Sequence, residues 1–99
     1  MAEEADDEFF NRADAHITLA NEQVKDATRG KVSASFMYGA ARFNAWVAAC
    51  GVDSADELQE SKAEAIEYFV DAYRKALTEH LDEYIANYER YMKAGSGDA

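Results

Sequence analysis

The sequence predicts an all-α fold: an antiparallel three-helix bundle whose C-terminal helix is long or kinked. Three observations carry that expectation. The 99 residues contain no proline, so no position removes a helical amide donor. β-Branched residues are sparse, which leaves mostly good helix formers. Apolar residues also recur at spacings of three and four in three runs, divided near Gly30 and Gly51.

The first run places Phe9, Phe10, Ala13, Ile17, Ala20, Val24 and Ala27 on one helical face, predicting a helix over 6–28. Asp6, Asp7 and Glu8 stand at its start, with Lys25 and Arg29 near its expected end. Both groups suit the helix dipole. Gly30 is placed to supply the left-handed residue that stops such a helix.

The second helix is expected over 31–50. Val32, Phe36, Ala40, Phe43 and Val47 form a stripe that Met37, Ala41, Trp46 and Ala48 widen, and Arg42 is the one charge between Val32 and Val52. A helix apolar nearly all round is either the centre of a bundle or a membrane span. Arg42, Asn44, Ser33, Ser35 and the abundance of alanine over leucine argue against the membrane. Small residues around Gly39 leave room for a close neighbouring helix, so this segment is expected to be central.

Gly51 and Val52 fit the glycine and apolar positions of a helix stop. Ser54 followed by Glu57 is a capping-box pattern, which opens a third helix expected over 54–94. A second such pair, Ser61 with Glu64, would mark a kink or split the segment into two helices. Ile66, Phe69, Val70, Tyr73, Leu77, Leu81, Tyr84, Tyr88 and Tyr91 share one arc, with Ile85 and Met92 at its edge. Residues 6–94 thus form one expected helical domain, with an acidic disordered start over 1–5 and a flexible tail over 95–99.

The expected lengths do not match. The first two helices span about 30 Å each, whereas the third reaches about 45 Å or more. Its last apolar residues, Tyr84, Ile85, Tyr88, Tyr91 and Met92, extend past what two shorter helices can cover. A fold-back, a second copy or another protein must shelter them, because a soluble monomer rarely leaves such a band open.

Ten Lys and Arg against 20 Asp and Glu give a net charge of −10, which argues against nucleic-acid binding. Glu60, Glu64, Glu67 and Asp71 follow one another along one face. Like charges at that spacing repel mildly, so the run is either a solvated face or a surface for a basic partner. A single cysteine, Cys50, suits a reducing compartment. The acidic opening residues lack a signal-peptide pattern, and the expected location is cytoplasmic.

Catalytic and metal chemistry find little support. The residues three before His16 and His80 are Ala13 and Leu77, so the Glu-x-x-His pattern of carboxylate metal bundles is absent. His80 is expected to pack against tyrosine on the inner arc. Cys50 sits at a helix C-terminus, where the dipole disfavours a thiolate. No metal, cofactor or enzymatic activity is expected.

Two weaker constellations stand beside the stripe. Arg29, Gly30 and Lys31 would place cations at a helix N-terminus, where an anion can bind, although an ordinary helix–helix turn explains them too. Arg42, within the most apolar segment, needs water or a partner. A bridge to Glu67 or Asp71 would satisfy it; a ligand-facing cluster of Tyr38, Arg42, Asn44 and Trp46 is the sharper alternative.

The run from Phe9 to Asn21, the segment from Arg29 to Ser35, and Ala40 to Ala45 resemble a proteobacterial family, domain of unknown function 3144. Glu67, Tyr68, Phe69 and the tyrosine-rich end are similar as well. The resemblance implies a small, acidic, cytoplasmic bacterial protein of helical character with no assigned activity, and it transfers no site residue. The expected role is that of a non-enzymatic protein-interaction module, a homodimer formed through its C-terminal helix. A small-ligand or anion-binding helical module is the alternative, and an acidic mimic that binds a basic protein is a third. Nucleic acid and membrane are not expected partners.

Overall fold

A computed structural model describes residues 6–93, and the acidic start expected over 1–5 and the tail over 95–99 lie outside them. The chain is all-α, of the helical-bundle class: α1 (Asp7–Gln23), α2 (Arg29–Cys50), α3 (Ala55–Ala86) and a short π-helix (Glu89–Lys93). It divides into two compact units, Met1–Arg42 and Phe43–Ala99, with α2 running through the boundary.

In the first unit, Asp6 caps α1 by accepting the Phe9 amide on its carboxylate at 2.8 Å, and Asp7 and Glu8 fill the first turn. Those anions meet orphan amides and the positive end of the helix dipole. The helix ends at Gln23, five residues earlier than the apolar spacing predicts, and Val24–Ala27 form a tight turn through amides bonded to Ala20, Glu22 and Gln23 carbonyls. Thr28 is the cause. Its hydroxyl accepts the Lys31 amide at 3.2 Å and its carbonyl accepts Val32 N–H at 3.0 Å, which starts α2 at Arg29.

Gly30 therefore lies inside the first turn of α2 rather than ending α1. Arg29 and Lys31 occupy that same turn, on the end of a helix that disfavours cations. The two helices make a hairpin in which His16 faces Phe36 with ring centroids 6.3 Å apart. Val32, 6% exposed, is the one buried residue among those described.

The second unit holds the end of α2 and all of α3. Gly51 and Val52 close α2 with three-residue turns onto the Ala48 and Ala49 carbonyls, and Gly51 does not use the left-handed conformation expected of it. Ser54 caps α3, its hydroxyl accepting the Glu57 amide at 3.1 Å while the Glu57 carboxylate accepts the Asp53 amide at 2.8 Å. The capping box is thus present, with its return bond one residue upstream of the usual position. Half-buried Asn44, Ala48 and Val52 on one side of the turn, and Leu58, Ser61, Ala65 and Phe69 on the other, line this hairpin.

Ser61 does not divide α3. Its hydroxyl donates to the Leu58 carbonyl at 3.2 Å, a bond a continuous helix accommodates. The helix runs for 32 residues, about 48 Å, and breaks instead at Asn87.

The central burial expected for α2 is not found. Phe36, Met37 and Tyr38 in the first unit are exposed, as are Phe43, Trp46 and Val47 in the second. Apolar composition marks surface that gains from burial; it does not supply the neighbour. Nor does any atom approach within 4 Å of where a Cβ on Gly39 would stand, so the close neighbour expected there is absent among the described residues.

Candidate interaction surface

α3 outruns its cover. The half-buried positions facing the α2 turn end at Phe69, and every residue from Val70 to Glu83 is exposed. Ile66, Val70, Leu77, Leu81, Ile85, Tyr88 and Met92 all stand open to solvent. Ile85 is 74% exposed, Tyr88 51% and Met92 42%.

The helix end separates the five residues that the sequence groups together. At Asn87 the backbone leaves the helical region (φ −125°, ψ 32°) while its N–H still donates to the Glu83 carbonyl. The Asn87 side-chain amide bonds that same carbonyl at 3.3 Å and the Glu83 carboxylate at 3.1 Å. The following π-helix turns Tyr91 back onto α3. Its ring packs on Tyr84 at 5.0 Å between centroids, and its hydroxyl donates to the Glu83 carboxylate at 2.7 Å. Arg90 closes the cluster, with its guanidinium carbon 4.9 Å from the centre of the Tyr91 ring and a nitrogen donating to the Tyr91 hydroxyl at 3.0 Å. Tyr84 and Tyr91 are therefore half-buried in a local cap, whereas Ile85, Tyr88 and Met92 continue the open stripe. Sequence spacing missed this cap. The one visible signal was Asn87, a residue suited to a helix end.

The acidic face is present as a solvated surface. Glu60, Glu64 and Glu67 are exposed. Asp71 takes its cations from its own helix, Lys75 at 3.1 Å and Arg74 at 3.8 Å, and so serves as an intrahelical anchor rather than as the expected partner of Arg42. Arg42 itself is exposed, so solvent removes the need for a bridge. His80 is exposed too, not packed on the inner arc.

The residues proposed for a ligand are divided between the two units. Tyr38 and Arg42 are exposed in the first unit; in the second, exposed Trp46 rests on Phe43 at 5.5 Å. Arg29 lies nine residues before Tyr38, about 14 Å away along the axis, and Asn44 in the second unit is half-buried. Among the described residues no group of three or more His, Cys, Asp or Glu is placed to hold a metal. No helix of the described residues is long and apolar enough to cross a membrane.

The family model "Protein of unknown function (DUF3144)" matches residues 9–85. The chain belongs to this family. The resemblance carried by the Phe9–Asn21 run and the later segments is thereby confirmed. A solved structure, the NMR structure of the protein NB7890A from Shewanella sp, is similar at 33% identity and a TM-score of 0.77. The match covers 95% of this DUF3144 chain and 98% of that one. Comparison with curated proteins finds no match.

Proposed function

We propose that this DUF3144 protein is a non-enzymatic interaction module of the reducing cytoplasm that self-associates through α3. One observation carries the reading: α3 is exposed throughout from Val70 to Glu83, and the apolar side chains Val70, Leu77 and Leu81 there, with Ile66 before them and Ile85, Tyr88 and Met92 after them, stand open to solvent. Seven apolar side chains between 41% and 74% exposed make a patch of the kind that marks an interaction site. The polar residues flanking it supply the rim that such interfaces have.

Light scattering of the full chain against Leu81→Glu and Ile85→Glu tests the reading. Both side chains already face solvent within one chain, so the helical circular dichroism persists while the mass falls from dimer to monomer. Wild type and variants that are equally monomeric contradict it.

A further inference from the structure

We propose that Glu83 is a latch: it holds the end of α3 in its folded-back turn, and its release lets the helix run straight to Lys93 and lengthen the apolar face. One carboxylate oxygen, Glu83 Oε2, accepts both the Asn87 side-chain amide at 3.1 Å and the Tyr91 hydroxyl at 2.7 Å. Arg90 donates to that same hydroxyl at 3.0 Å. A single side chain therefore ties the break at Asn87 to the residue that folds back over it. All three bonds are exposed, where water competes and each adds little net stability.

The straight arrangement is written in the chain as well. No proline or glycine stands between Ala55 and Lys93, so nothing in the backbone forbids continuation. Leu77, Leu81, Tyr84, Tyr88 and Tyr91 follow at alternating spacings of four and three, which sets all five on one face of an unbroken helix. Glu89 stands four residues before Lys93, the favoured order for an ion pair on a helix. The turn forfeits that alignment. It packs Tyr84 and Tyr91 on each other, half-buried, with ring centroids 5.0 Å apart. A straight helix sets the two residues about 10 Å apart along its axis and opens both. Such π turns recur at functional positions in helices. A partner that binds the longer face gains contacts only in the straight form, so its binding shifts the latch towards release. The inference rests on the bonds around Asn87 and not on self-association.

The test is nuclear magnetic resonance of the isotope-labelled full chain, compared with a chain carrying both Glu83→Ala and Asn87→Ala. Those changes remove the carboxylate and place a good helix former at the break. Wild type is expected to show ring-to-ring Overhauser contacts between Tyr84 and Tyr91 and a non-helical Cα shift at Asn87. In the double variant the ring contacts are lost and helical Cα shifts run unbroken through residue 93. Ring contacts that persist in the variant would show that Glu83 is not what holds the turn. Random-coil shifts over residues 88–93 would show that no straight arrangement lies behind it. Either result overturns the latch.

Discussion

The Tyr91 hydroxyl donates to the Glu83 carboxylate at 2.7 Å across eight residues of sequence. A regular helix places those two positions about 12 Å apart along its axis, so the bond depends on the break at Asn87 and on the wider π turn after it. Tyr91→Phe removes the bond and keeps the ring on Tyr84. The expected result is faster amide exchange over residues 88–93 and a global loss of about 1 kcal/mol or less, because the cluster is partly solvated. Unchanged exchange in that segment would show that the turn is held by packing alone.

Ser54 governs the entry to α3. Replacing it with alanine leaves the Glu57 amide without its 3.1 Å acceptor. The expected cost is about 1 kcal/mol, read as a fall in Tm of roughly 4–8 °C for a domain of this size. Ser54→Asp, which restores a side-chain acceptor, recovers most of it.

Gly39 lies within α2 with open space where a side chain would stand. Gly39→Ala is therefore expected to stabilise the protein by about 1 kcal/mol through helix propensity. Thermal unfolding gives the sign directly. A lower Tm would mean that another backbone packs against this position.

The caps and periodicity were legible because their chemistry is local. Ser54 and Glu57 stand three residues apart and need nothing else, and α3 follows its apolar period from Ile66 onward. The α1–α2 boundary was not legible, since Gly30 suits a helix stop by its residue type, whereas the bond from Lys31 N–H to the Thr28 hydroxyl starts α2 ahead of it. Tyr84 on the apolar arc and Ile85 at its edge fall into one stripe by sequence, yet the first is half-buried against Tyr91 and the second is the most open apolar residue of the stripe. That difference arises from side-chain bonds at Asn87 and Glu83 that no pattern of apolar residues encodes. Arg42 was misjudged for a related reason: an apolar sequence neighbourhood is not a dry one, and α2 is largely exposed.

The α3 stripe is expected to be covered when the protein is assembled. Solvent paramagnetic relaxation of the Ile85 methyl groups in the full chain, followed through dilution, measures that cover directly. Strong shielding is expected at high concentration and is lost on dilution, as the mass falls to the 11.0 kDa of one chain. Relaxation that stays high at every concentration, matching the 74% exposure of Ile85 in the single chain, would contradict it.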